Sequence, residues 1–328
     1  MPAALLDLLT ARYGEPSERG NVDWLTALDD CLHAPEIGPL LRRLPSRERR
    51  ALLAAAGRTV YRQDVGNYAA ELRYNTRSLI ASGQMPGLPA QLEEHAACLF
   101  AAASDALDFE TRASAEAHLR ETRVAVGGLE RLRPFLRQRG IVLLSVFQSH
   151  FGYAVPLLEG PLGPVALVRK PQDGEDPGVA ARALLDWCEA VEVVPADARG
   201  GMRLLQVLRH GGIVGLYNDF LYPDARAARG FLFGDWVPVS RTLLMLIRKT
   251  GAVVVPVSIA RALPAEGDEV EVRFHSPLPS TLVPGEATEA ALALELSLAT
   301  ECLIRRHPAQ WRLWNTLRLR WEWGRGLS

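Results

Sequence analysis

The chain has 328 residues, 48% of them apolar and 23% charged, with a net charge of −1. That composition excludes a disordered or collagen-like chain, and the charge balance gives no electrostatic argument for a nucleic-acid partner. Its four cysteines, at 31, 98, 188 and 302, are far apart and form no CxxC. This speaks against a disulfide framework or a zinc site and fits a reducing compartment.

The opening "MPAALLDLLTARYG" has no positive leader and carries Asp7, so it does not read as a signal peptide. No stretch approaches the ~20 apolar residues that span a bilayer, and a cytoplasmic location is expected. Residues 1–122 read as a helical segment. Over 45–80 the apolar residues recur every three or four positions, with breaks at 14–21 and 83–89. From about Val124 short β-branched runs alternate with helical ones. Residues 141–147, 164–169, 191–194, 212–217 and 252–260 read as strands. Residues 128–139, 176–190, 198–211 and 240–251 read as helices. Residues 269–278 alternate, which suits an edge or antiparallel strand, and a long helix follows over 286–306. Continuous apolar strands separated by helices predict an α/β fold over 123–328, its mostly parallel sheet covered by helices on both faces.

In such sheets ligands bind beyond the carboxyl ends of the strands. His150 lies just past the 141–147 strand, with Gly152 and Tyr153 beside it. An imidazole titrates near neutrality and suits a general base, although a histidine that bonds a loop would look the same. Asn218 and Asp219 follow the 212–217 strand and open the stretch 217–240, which is long for a simple connection. In it, Asp219 suits a residue that orients a base or binds a cation, and Arg226 and Arg229 suit a phosphate. Gly230, Phe231, Phe233 and Gly234 belong to an apolar turn fit to line a pocket, or to pack as a plain surface excursion. Arg169, with Lys170, ends another strand at the same edge and is either an anion contact or solvated. The Arg- and Trp-rich 305–324 is expected to pack its tryptophans inward and turn its arginines to water, with weak membrane contact as the alternative. No P-loop, G-x-G-x-x-G, G-x-S-x-G or H-E-x-x-H occurs.

Taken in order, "VGGLERLRPFLRQRGIVLLSVFQSHFG", "GGIVGLYNDF", "GFLFGDWVPVSRTLLMLIRKTGAVVVPVSI" and "IRRHPAQWRLWNTLR" resemble the bacterial lipid A late acyltransferases, the lauroyl/myristoyl transferases of the lysophospholipid acyltransferase superfamily. The resemblance runs from about Val124 to Trp321. It implies transfer of an acyl group from a phosphopantetheine thioester, on acyl carrier protein or coenzyme A, to an amine or hydroxyl. His150 is then the general base, Arg226 and Arg229 face the carrier's phosphate, and backbone N–H groups near Gly152 or Gly230 face the oxyanion. No metal or resident cofactor is implied. Two departures stand out. The carboxylate that family members carry five residues after the histidine is replaced by Val155. Either Asp219 or Glu159, the latter one helical turn further at ~6 Å, substitutes for it, or His150 works unaided on a good nucleophile. The family's hydrophobic anchoring helix is replaced by a more polar helical segment, which favours a soluble acceptor and at most peripheral membrane contact. The same scaffold also accommodates condensation, cyclisation or thioester hydrolysis in a biosynthetic pathway, or acyl and carrier binding without turnover.

Overall fold

The structure, a computed structural model, describes residues 32, 34–109, 111–148, 153–154, 165–169, 191–195, 198–219, 227–265, 267–285 and 287–327. Helices come first: α1 (Gly38–Arg43), α2 (Ser46–Gln63), α3 (Tyr68–Ala81), α4 (Leu92–Asp108) and α5 (Arg112–Glu121). On α2 the buried Leu53, Ala54, Ala56, Gly57 and Val60 fall on one stripe, as the three-and-four spacing requires. The periodic stretch 45–80 is broken after α2. Asp64 takes a left-handed backbone there, and its Oδ1 accepts the Ala69 and Ala70 N–H groups at 2.8 and 3.0 Å, which satisfies free donors of α3.

The strands follow: β1 (Arg123–Gly127), β2 (Ile141–Ser145), β3 (Val165–Arg169), β4 (Val191–Pro195), β5 (Ile213–Tyr217), β6 (Ala228–Leu232), β7 (Asp235–Val239), β8 (Val253–Arg261) and β9 (Glu269–Phe274). The helices among and after them are α6 (Ala198–Arg209), α7 (Arg241–Thr250), α8 (Glu289–Arg306) and α9 (Leu317–Arg325). Among the described residues the main sheet has the order β1-β9-β8-β2-β5-β3-β4 and is parallel except where β8 meets β9. The protein is therefore α/β with a mostly parallel central sheet.

Both faces of that sheet are covered, which is why β2 and β8 are apolar without alternation. Val142, Leu144, Val214 and Val254 face the apolar sides of α6, α7 and α8. Ile141, Leu143, Ile213 and Val255 face the opposite layer, which includes Phe109, Ala115 of α5, Leu132 and Tyr153. A third cluster joins α2, α3 and α4 to the β6–β7 hairpin and to Trp311, Trp314, Leu317 and Trp321. Among the described residues no helix is long and apolar enough to cross a membrane.

Two local expectations are corrected, and a third is met in one of its two forms. Residues 128–139 do not form an α-helix. A single 3-10 turn spans Leu129–Arg131, and most of the succeeding bonds, such as Phe135 N–H to Leu132 O at 2.9 Å, are of the tighter i+3 kind. Pro134 has no N–H to give and Arg137 is left-handed (φ 59°), so the apolar spacing there does not propagate a helix. β9 is antiparallel to β8, as expected, but it is not an edge, because β1 pairs with its other side. The stretch 217–240 is not one long loop: it contains the β6–β7 hairpin, whose two-residue turn Phe233–Gly234 has φ of 50° and 82°. Positive φ at both turn positions is the arrangement that follows strand twist. The helix expected over 176–190 lies outside the described residues.

Candidate active site

β2 and β5 are neighbours at the centre of the sheet, in a register that sets Ser145 beside Tyr217. The chain after each strand therefore leaves from the same edge, and the two best-placed candidates, His150 and Asp219, follow these two strands. The ladder continues one step further, since the Asn218 N–H donates to Ser145 O at 2.9 Å.

Asp219 is 5% exposed. Its carboxylate accepts the Phe147 N–H at 3.1 and 2.9 Å and the Trp311 indole N–H at 2.6 Å, while its carbonyl oxygen accepts from the Arg320 guanidinium. Burial pushes its carboxyl above the ordinary value, against the opposing pull of Arg320 and of the two N–H donors. Asp219 thus binds the turn after β2 to the end of β5 and to the C-terminal segment. It grips the backbone three residues before His150 in sequence. A carboxylate has about four acceptor positions, so these donors do not exhaust it.

Neighbouring residues complete this clasp. The Gln148 amide donates to Leu303 O and His307 O at 3.1 and 3.2 Å, closing the last turn of α8. Arg312 returns the contact: its N–H donates to Phe147 O at 3.0 Å and its Nε to Gln148 O at 3.1 Å. Gln310 pairs with the backbone of Arg261 on β8, accepting from its N–H at 2.8 Å and donating to its carbonyl at 2.6 Å. The "PAQW" segment is therefore the lock between the C-terminus and the edge of the sheet. Trp311, Trp314 and Trp321 are buried, as expected, but Arg320 is 8% exposed and Arg312 is part-buried, so these two arginines do not simply face water.

Asn218 lines a cavity of about 20 Å³ with Asp219, Ser297, Thr300, Arg320 and the hairpin residues Leu232 and Val237–Val239. That is room for about one water molecule. The Asn218 amide N–H donates to Thr300 Oγ1 at 2.8 Å, and its Oδ1 is buried without a partner among the described residues.

The apolar turn divides its residues. Phe233 is buried against Trp311 and Trp314, and its N–H donates to Glu301 at 2.7 Å. Gly230 is pressed onto α8: a Cβ there would lie 2.0 Å from Ser297 Oγ. A Cβ on Gly234 would lie 2.5 Å from Gln84 Nε2. Phe231 packs edge-on against Trp236, and the Arg229 guanidinium lies 5.8 Å from that indole. These four positions serve the packing of the hairpin, and Arg229 lies on its outer face. Arg169 ends β3, which pairs with β5 and so brings it to the same edge. His150, Gly152, Glu159 and Arg226 lie outside the described residues.

Tyr153 is placed differently from a ligand contact. It is 1% exposed, and its hydroxyl sits between His118 Nε2, at 2.7 Å, and the Arg261 guanidinium. It belongs to a buried polar network that sequence reasoning missed. Arg261 pairs with Asp105 at 2.9 Å, Arg49 pairs with Asp108, and Ser46 donates to Asp108 at 2.6 Å. Burial pushes the Asp105 carboxyl up, but Arg261, His118 and Arg50 outweigh it and hold it below the ordinary range. Asp105, Asp108 and His118 bring one ligand atom each within 4.8 Å of one another, the spacing a metal ion needs. Both carboxylates are already matched by arginines, so the donor set is spent on holding α2, α4 and α5 to β8.

No family model matches the chain, and no curated protein matches it. Among solved structures, the chain is similar to the 1-acyl-sn-glycerophosphate acyltransferase PlsC from Thermotoga maritima. The identity is 14% over 80% of this chain and 97% of that one, with a TM-score of 0.36. A likeness of that size assigns no residue a role.

Proposed function

We propose that the protein is an acyltransferase that moves an acyl group from a phosphopantetheine thioester to an amine or hydroxyl, with His150 as general base. The observation that carries the reading is the adjacency of β2 and β5. It leads the segment that holds His150 and the buried Asp219 away from one edge of a parallel sheet, where α/β folds bind ligands. The order of sequence blocks around these residues supports the same reaction.

In this reading His150 takes the proton of the acceptor as it attacks the thioester carbonyl, and the thiolate of the carrier leaves. Asp219 acts through the backbone: it fixes the turn at Phe147 and so the path of the chain toward His150. With Val155 in place of a carboxylate, the imidazolium lacks its usual local partner, which favours an amine acceptor over a weakly nucleophilic hydroxyl.

The test is to incubate the purified protein with acyl-coenzyme A and acyl-carrier thioesters, together with a panel of amines and alcohols, and to weigh the products. An acceptor heavier by one acyl group supports the reading. Release of the free acid alone, or no consumption of any thioester, contradicts it.

A further inference from the structure

We propose that Arg312 is an anion subsite at the carboxyl edge of β2, built to take a phosphate group of one of the two substrates. The proposal rests on the acyl-transfer reading for its biological meaning but not for its test.

Three other enclosed arginines are each matched by a carboxylate. Arg49 is matched by Asp108, Arg50 by Asp268 and Arg261 by Asp105. Removing a cation from water is costly, and each of these has a carboxylate to offset the loss. Arg312 differs from these three. Among the described residues no carboxylate lies within 4.0 Å of its guanidinium, and its side chain makes a single hydrogen bond, from Nε to Gln148 O. Burial pulls its pKa below the ordinary value, with Tyr217 and Asp105 opposing from a distance.

The group is nevertheless held in place. Its own backbone N–H is tied to Phe147 O at 3.0 Å, and its guanidinium lies 4.8 Å from the Phe147 ring centre. That ring packs edge-on against Tyr217, the last residue of β5. A guanidinium anchored through Nε and stacked on a ring keeps its terminal N–H groups as a fixed fork, the geometry that meets a phosphate with two parallel bonds. The fork sits on residues 147 and 148, immediately before His150 in sequence and at the strand pair that carries the proposed site. His95, the histidine that interacts with Arg312, bonds Ala309 O through its ring at 3.1 Å, and burial lowers its pKa to about 4. His95 is therefore neutral at physiological pH and does not compete for the anion.

A phosphate at Arg312 comes either from the phosphopantetheine donor or from a phosphorylated acceptor. The first measurement uses the wild-type protein. Phenylglyoxal modifies accessible guanidinium groups, and peptide mass spectrometry follows Arg312 beside the exposed Arg305 and Arg306. Inorganic pyrophosphate is expected to slow modification of Arg312 at least about fivefold while leaving the other two unchanged. Equal rates at all three positions overturn the proposal. The second measurement compares Arg312→Gln and Arg312→Lys with acyl-coenzyme A and with the phosphate-free acyl-N-acetylcysteamine. Loss of a charge-assisted pair predicts a KM raised about 10- to 100-fold in the glutamine variant, largely restored by lysine. A rise for acyl-coenzyme A only assigns the phosphate to the donor; a rise for the acceptor only assigns it to the acceptor. No change for either overturns the subsite. Protection of Arg312 without any acyl transfer would instead overturn the function proposed above and leave the subsite standing.

Discussion

Burial and hydrogen bonding pull the Asp219 carboxyl in opposite directions, and burial prevails. An acid whose pKa is raised on folding favours the folded state at low pH. That contribution is lost as pH climbs from the unfolded value, about 3.9, through the higher native one. Asp219→Asn removes the titration. The melting temperature of the variant minus that of the wild type is therefore expected to rise as the pH is raised above about 4. A constant difference across that range would contradict the shift. Trp311→Phe keeps the ring in its cluster but deletes the indole donor 2.6 Å from Asp219. It is expected to cost about 1–3 kcal/mol in urea denaturation. Sequence placed Asp219 at the correct edge because a polar residue directly after a buried strand is a local signal. Its partners Phe147, Trp311 and Arg320 were invisible, since the indole it holds is 92 positions away in the chain.

The elements follow the same rule: what is local and continuous reads well, and what depends on pairing does not. β2 and β8 were legible because both faces are covered and the apolar run is unbroken. β1, with the exposure pattern of an edge strand, carries too weak a pattern in "RVAVG" and was missed. The β6–β7 hairpin was hidden in an apolar stretch because its turn is Phe-Gly rather than Asn-Gly. That turn is itself a test. Gly234 has φ 82° and a Cβ there meets Gln84, so Gly234→Ala is expected to cost about 1–2 kcal/mol, read from the urea midpoint. A neutral outcome would mean that the hairpin turn is different in solution. The buried network between α4 and β8 predicts a larger effect. Arg261→Met strands Asp105 without its cation and is expected to cost about 3–5 kcal/mol. The double variant with Asp105→Leu should recover much of that loss, and failure to recover would show that Arg261 acts through Tyr153 and Gly267 rather than through the ion pair.

At the scale of the molecule, the β2–β5 edge is where the chain's distant parts converge. The turn after β2 is held from three directions. Asp219 comes from the next strand, Gln148 reaches the end of α8, and Arg312 arrives from the segment after it. The N-terminal helices share a core with the same C-terminal tryptophans, so the site is braced by both ends of the described chain. Such bracing is what a base needs when no carboxylate stands beside it in sequence, because orientation must then come from the scaffold. The parallel sheet and its carboxyl edge were legible from sequence; the clasp was not, because the contacts that hold the turn after β2 lie 72 to 165 positions apart. The proposed acyl transfer stands on His150 as its general base. The most direct measurement is the single-turnover rate of acyl transfer from a saturating acyl thioester by wild type and by His150→Ala, with donor binding followed in parallel. The account predicts a rate at least ~100-fold lower in the variant with donor affinity kept within about threefold. Full turnover by His150→Ala would contradict it.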